Sequence, residues 1–332
     1  MPGFITHLSF GEQSLSFIES QEISGLINAH LTVYNLGLQG PDIFFYHLPC
    51  HLLHKHNIGN LMHRRNVMLM FDSLINGRNT FDEVHDRRIC DAYIIGFIGH
   101  YSLDVACHPY VYFKSDHINN IKRNRVFDFG KHCSLETDID HLVLKHYKHI
   151  LPSQFDYVGA ITPSIHEQQV VSELLYIAIS QSFPADKVSV KTIKHAINSI
   201  IKLNKFMRDP TGKKKHKLRK LEQKLFKCCY LSGMIPSDTK LKYNDPCNNL
   251  HNQWHNPWYP LIPRTDSIFD IINKTMPIYI KRINMYINAV GNAAIETTDM
   301  DSVEETNYYL HNRNILLVEL SDNSYLTGLP IK

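Results

Sequence analysis

The run GFIGHYSLDVACHPYVY, Gly96 to Tyr112, sets His100, Asp104 and His108 at intervals of four inside an otherwise apolar stretch. An α-helix turns about 100° per residue, so a step of four rotates each side chain only about 40° from the last. All three therefore share one helical face. Either that face is wet, or it holds something.

Histidine is unusually placed along this chain. Of 21 His, fifteen precede residue 150, so metal chemistry belongs to the first half. The seven Cys (50, 90, 107, 133, 228, 229, 247) include no C-x-x-C pair. A disulfide framework or a Cys-rich zinc site is therefore not expected, and reduced thiols fit better. A 43% hydrophobic content over 332 residues supports a real core, and a net charge of +3 gives no case for nucleic acid. The N-terminus has no cationic segment leading into an apolar one, and no uncharged apolar run approaches the roughly 20 residues that span a bilayer. The expectation is a cytoplasmic protein without a transmembrane segment.

Helical periodicity dominates and strand-like alternation is scarce, which predicts an all-α fold. Helices are expected over Gly11 to Leu31 with interruptions, Leu61 to Gly77, Asp82 to Ala106, Lys131 to His149, Ile165 to Ser182, Ser189 to Met207, Lys213 to Tyr230, and Ser267 to Val290. Pro109 is expected to end the third of these, since proline lacks the N–H of the helical ladder. Tyr110 to Gly130 reads as a surface loop. Residues 1–150 form the metal-site half, and 151–332 a helical remainder packing on it, as the same domain or a closely attached extension. The basic stretch 213–220 reads as a solvated helix face, with contact to an anionic surface as its functional alternative.

Other ligand-type residues accompany the central run. HCSLE sets His132 and Glu136 four apart, a second pair on one helical face. In LGLQGPDIFFYH, Asp42 follows Gly40 and Pro41 in a turn, GNLMH offers His63, and MPGFITHLSFGE contributes His7. This order of a His near the N-terminus, an Asp, a His, then HxxxD with a close His, then HxxxE, resembles the zinc-dependent phospholipase C family. Its relatives are the single-strand-specific zinc nucleases and the N-terminal domain of glycosylphosphatidylinositol-specific phospholipase D. By motif the resemblance covers roughly residues 1 to 140.

The resemblance implies two or three zinc ions in a helical fold. Asp42, His63 and His100 would hold one, with Asp104 bridging to another; His108, His132 and Glu136 would hold a second. A third would share Asp104 with His7 and the amine of Pro2, exposed by removal of Met1. Asp42 would also serve as the catalytic base. His63 matches the phospholipase D spacing better than His56, which stands closer to the bacterial enzymes; His47, His51 and His54 crowd the same segment. The HxxxDxxxH spacing is shorter than in the bacterial phospholipases, and the family is typically secreted, so substrate inference weakens.

The chemistry implied is hydrolysis of a phospholipid or other phosphodiester, because zinc both acidifies water to a pKa of roughly 7 and neutralises phosphoryl oxygens. Nuclease action on the same centre, or a non-catalytic zinc-stabilised binding module, are the alternatives. G-x-S-x-G and glycine-rich phosphate loops are missing from the sequence. His85-Asp86 raises a histidine-aspartate phosphohydrolase reading that leaves both ligand pairs unexplained. Asn248 to Pro260, NNLHNQWHNPWYP, reads either as an aromatic wall or as a plug that drives Trp254 and Trp258 into the core.

Overall fold

The computed structural model describes residues 3–47, 57–116, 129–226, 231–238, 241–291 and 302–331. Among them the fold is all-α. Fourteen helices run in the order α1 (Phe4–Leu15), α2 (Gln21–Ala29), α3 (Leu31–Gly37), α4 (Ile58–Met62), α5 (Val67–Arg78), α6 (Val84–Lys114), α7 (Phe129–Lys148), α8 (Tyr157–Ile161), α9 (Ile165–Ser182), α10 (Val190–Met207), α11 (Lys213–Phe226), α12 (Leu231–Met234), α13 (Ile268–Val290) and α14 (Ser302–Leu320). Short 3-10 turns at Gly40–Phe44 and Pro152–Gln154, and one antiparallel hairpin of β1 (Trp254–Asn256) and β2 (Tyr259–Arg264), complete it.

Side-chain caps start many of these helices. Ser20 accepts from the amide of Ile23, and Ser189 from that of Thr192. Reciprocal capping boxes, Ser164 with Glu167 and Ser267 with Asp270, begin α9 and α13. The long helix α6 lies at the centre and packs against α1, α3, α7, α9, α13 and β1. Buried apolar side chains from Phe4 to Tyr325 form one connected cluster around it. Among the described residues, no helix is long and apolar enough to cross a membrane.

Five details depart from the sequence reading. The first helix begins at Phe4, not Gly11, because Asp140 accepts the amides of Ile5 and Thr6 at 3.0 and 2.9 Å, and so caps α1 from another helix. The expected helix over Leu61 to Gly77 is two helices, broken where Asn66 takes a left-handed φ of 55°. Pro109 does not stop α6, which continues to Lys114. Its missing N–H leaves the Val105 carbonyl without its usual donor, and Gly328 packs so closely there that a Cβ would lie 2.7 Å from that oxygen. Finally, part of the turn-rich Trp segment is a hairpin, and α14 carries no helix expectation. The remainder of the expected 110–130 loop, at 117–128, lies outside the described residues, as do 227–230 at the end of the expected Lys213 helix.

Candidate metal centre

His100, Asp104 and His108 stand on successive turns of α6 and are all buried, with 0–1% exposure. His7 reaches them from α1, its ring stacked on that of His100 at a centroid distance of 4.3 Å. Asp42 comes from the 3-10 turn, which needs Gly40 at its start. Gly40 has φ of +49°, and a Cβ there would strike the His100 ring at 2.4 Å. His63 caps the C-terminus of α4, and His132 and Glu136 project from α7, 2.7 Å apart.

Asp104 is the hinge of the arrangement. Its Oδ1 lies 3.2 Å from His7 Nε2, while Oδ2 lies 3.5 Å from His63 Nε2 and 3.4 Å from His100 Nε2. Asp42 Oδ1 stands 3.3 Å from His63 Nε2 and 3.9 Å from His100 Nε2. Three groups of ligand atoms, each within 4.8 Å of one another, result: His7 with Asp42 and His100, His63 with His100 and Asp104, and His108 with His132 and Glu136. Asp42 and His100 thus also approach His7, a sharing that the motif order does not convey. Pro2 and His56 lie outside the described residues, as do His51 and His54; His47 is buried and faces Ser199 at 3.3 Å.

The second nitrogen of His63, of His100 and of His108 is occupied. His63 Nδ1 donates to the Gly59 carbonyl at 2.6 Å and His100 Nδ1 to that of Leu38 at 3.0 Å. His108 Nδ1 lies 2.7 Å from the Tyr325 carbonyl and 3.5 Å from Asp104 Oδ2; the shorter contact is the hydrogen bond. In the neutral ring each leaves its lone pair on Nε2, the arrangement in which outer partners orient a metal ligand.

Six converging atoms find no hydrogen bond among the described residues: Nε2 of His7, His63 and His100, Oδ1 of Asp42, and both carboxylate oxygens of Asp104. Buried polar atoms left so cost roughly 1–3 kcal/mol each, and more when charged. Divalent cations would satisfy all six, so the donor set fits zinc. Titration points the same way. Burial, reinforced by the neighbouring His100, holds His7 below its ordinary range, and burial does the same for His108 and His132. Although burial opposes it, the adjacent imidazoles hold the Asp104 carboxyl well below its usual range, and His132 likewise lowers Glu136. His63 is the exception. Burial lowers it, but Asp104 and Asp42 outweigh that and raise it to about 9. Its proton is the positive charge that two facing carboxylates demand, and a metal ion would displace it.

A family model for zinc-dependent phospholipase C matches residues 6–204, more than half of the chain. The chain belongs to the zinc-dependent phospholipase C family. Membership makes it a zinc-dependent hydrolase of the phospholipase C type. No curated protein and no solved structure gives a match. The matched span contains every ligand candidate from His7 to Glu136 and ends before the hairpin and the C-terminal segment.

In this member of the family, the centre opens on a cavity of about 640 Å³. Asp42, His63, His108, His132, Glu136 and Asp140 form its polar side; Phe4, Phe45, Tyr46, Tyr112, Met207, Trp258 and Leu326 form apolar walls, and Arg64 and Arg208 are the arginines among the described residues that line it. The Trp segment does both things expected of it. Trp254 is buried at 1% exposure against Tyr110, whereas Trp258 lines the cavity. His85 and Asp86 lie outside the cavity lining. In the basic stretch, Lys214 donates to the carbonyls of Phe206 and Arg208, and the Lys215 amide to Asp209.

Two contributors escape sequence reasoning. Asp140 takes the Thr6 hydroxyl at 2.6 Å as well as two amides, which docks α1 and hence His7; burial raises its carboxyl to about 7 against those hydrogen bonds. Tyr325 accepts at its carbonyl from His108, donates its amide to the His63 carbonyl, and packs its ring on His63 and His100. No local pattern marks either residue.

Proposed function

We propose that this protein hydrolyses phosphodiester bonds of phospholipids, with water as the nucleophile. The supporting observation is the Asp104 carboxylate, whose two oxygens face His7 on one side and His63 with His100 on the other. In this reading His7, Asp42, His63, His100 and Asp104 hold one part of the cluster, and His108, His132 and Glu136 the other. The Pro2 amine, if exposed by removal of Met1, would complete a third position. Zinc, when bound, supplies Lewis acidity toward the phosphoryl oxygens and makes water acidic enough to attack near neutral pH.

The chain's own residues do the rest. Asp42 lines the cavity beside His63 and takes a proton from the attacking water. Arg64 and Arg208, the arginines among the described residues that line the cavity, match the charge of a phosphate. The apolar walls suit acyl or glyceride groups. The hairpin continues the wall outward from Trp258 through Tyr259, Leu261 and Ile262, which are 45%, 77% and 58% exposed. That run of apolar surface at the mouth favours a lipid over a nucleotide.

Zinc content measured alongside turnover tests the reading. The panel is phosphatidylcholine vesicles, phosphatidylinositol vesicles, single-stranded DNA and a chromogenic phosphodiester, with Asp104→Asn as the variant. Two or three zinc per chain, release of diacylglycerol, and loss of both zinc and turnover in Asp104→Asn are expected. Phosphatidic acid as product would move the cleavage to the D type, DNA hydrolysis alone would make the protein a nuclease, and bound zinc without any turnover would make it a binding module.

A further inference from the structure

Away from the centre, three histidines and two carboxylates gather where α6 and α9 begin. His85 and Asp86 belong to the first turn of α6, His166 and Glu167 to the first turn of α9, and His30 ends α2. His166 Nε2 lies 2.7 Å from Asp86 Oδ1. The His85 ring lies nearly parallel to that of His166, at 5.9 Å and 12°. Behind them, His30 sits 5.4 Å from His85 and is held through Nδ1 by Glu167 Oε1 at 2.9 Å.

One ligand atom from each of His85, Asp86 and His166 lies within 4.8 Å of the others. Zinc with bonds of about 2.0–2.1 Å places neighbouring ligand atoms roughly 3.3 Å apart in a tetrahedron. Rotation of exposed side chains covers that difference, and the His166 side chain is 58% exposed. A surface hydrogen bond accounts for His166 with Asp86 only. It does not account for His85, which makes ring contacts with His166 and His30 but no hydrogen bond among the described residues.

Electrostatics also bear on the point. Two helix N-termini meet here, and their partial positive charge disfavours a cation. Asp86, Glu167 and the Glu83 at the N-cap of α6 supply the opposing negative charge. Two imidazoles and one carboxylate are a borderline donor set, suited to zinc and its first-row neighbours rather than to calcium or magnesium.

We propose that His85, Asp86 and His166 form an accessory site for a zinc-type divalent cation, separate from the catalytic centre. Water fills the remaining position, and His30 with Glu167 backs the cluster. The ion would clamp the start of α6, the helix that carries His100, Asp104 and His108, to the start of α9. Because these groups lie at the surface, the affinity is weaker than that of the enclosed centre, and the site fills only after it.

The zinc-loaded full chain is dialysed against rising free zinc, and metal per chain is counted. One further equivalent is expected above the first plateau in the parent protein. It is absent in His85→Ala and in His166→Ala, whose turnover of a chromogenic phosphodiester at the first plateau is unchanged. Thermal unfolding gives the second readout: the Tm climbs with free zinc in the parent and stays flat in both variants. Equal zinc uptake by the parent and both variants would overturn the site, as would a Tm that responds identically in all three. Failure of the catalytic reading shows separately, as a first plateau without turnover.

Discussion

Gly37 on α3 and Gly96 on α6 lie in mutual backbone contact: a Cβ on Gly37 would stand 2.2 Å from the Tyr93 carbonyl oxygen, and one on Gly96 2.2 Å from that of Tyr34. No side chain could relieve either clash, since both obstacles are backbone. The close approach brings the Leu38 carbonyl to His100 Nδ1 at 3.0 Å and leads α3 directly into the turn that bears Asp42. Gly96→Ala and Gly37→Ala are each expected to force the helices apart. Overpacking of this kind costs about 1–3 kcal/mol or more, to be read as a lower midpoint in urea, and zinc affinity should fall with it because His100 loses its orienting carbonyl.

Removing metal is expected to destabilise the fold and not only the activity. Asp42 and Asp104 are carboxylates at 3% and 0% exposure, and two of the imidazoles beside Asp104, His7 and His108, are held below their ordinary range. Chelation should therefore lower the Tm, and acid should lower it further. His7, His108 and His132 are shifted below 6.5, so the unfolded chain binds more protons than the folded one as pH falls through 6.5. Their contribution to stability is present above 6.5 and lost below it. His63, raised to about 9, opposes this, its contribution fading only as pH rises through 9, and so does Asp140, whose carboxyl, raised to about 7, gains a proton in the folded chain first as pH falls; three histidines against these two leave the loss on acidification dominant. Calorimetry of chelated protein between pH 7 and 5 checks the net sign, and a Tm that rises on acidification would contradict it.

How far the centre can be read from sequence follows from the range of the forces that build it. His100, Asp104 and His108 share a face because helical spacing is local, and so do His132 and Glu136. Gly40 and Pro41 mark the Asp42 turn through their own backbone preferences. The helix starts at Ser164, Ser189 and Ser267 are equally local, which is why α9, α10 and α13 match the periodicity closely. Asp140 capping α1, and Tyr325 facing His108, join residues more than 130 and 210 positions apart, and no spacing rule encodes such contacts. Pro109 misleads for the same reason: the Val105 carbonyl it exposes is covered by Gly328, from the far end of the chain. The hairpin was hidden by its own composition, since Pro260 and Pro263 in an exposed strand read as turn.

The C-terminal segment is expected to govern zinc affinity although the family match ends at residue 204. Tyr101 Oη donates to the Leu320 carbonyl at 2.7 Å and anchors its start, and Tyr325 then bridges His63 and His108 by backbone hydrogen bonds. A chain ending at Leu320 should bind zinc roughly 10- to 100-fold more weakly, the usual cost of losing an outer partner of a ligand. Tyr325→Ala keeps the backbone but empties a fully buried ring site, at about 3–5 kcal/mol. Competition with a chromogenic chelator separates the two: the truncation acts mainly on affinity and Tyr325→Ala mainly on unfolding.

Asp91 is expected to be the most sensitive charged residue outside the centre. Arg78 binds both its oxygens, at 2.9 and 3.1 Å, and Tyr286 donates to Oδ1 at 2.6 Å, all in the buried contact of α5, α6 and α13. Asp91→Ala leaves the Arg78 guanidinium buried without its partner, which costs about 3–5 kcal/mol. Arg78→Met with Asp91→Leu, an apolar pair of similar volume, should recover much of that loss. Urea unfolding of the single and double variants checks it.

The hairpin makes the sharpest functional prediction, because it separates a lipid surface from a lipid molecule. Leu261 and Ile262 are exposed beside a cavity wall, and the strand is held from beneath: the Arg264 guanidinium lies 4.4 Å above the Trp254 ring, and Trp254 Nε1 donates to the Asp266 carbonyl at 3.0 Å. Changes in this bulged part of β2 therefore leave the core intact. If it enters a bilayer, burying two such side chains contributes about 1.5–3 kcal/mol each. Leu261→Asp with Ile262→Asp should then lower turnover of phosphatidylcholine vesicles by about 100-fold or more. Turnover of a short-chain phosphatidylcholine below its critical micelle concentration should be unchanged, since that substrate reaches the cavity from solution. Equal loss on both substrates would place the hairpin in the binding pocket instead, and no loss on either would remove it from the reaction.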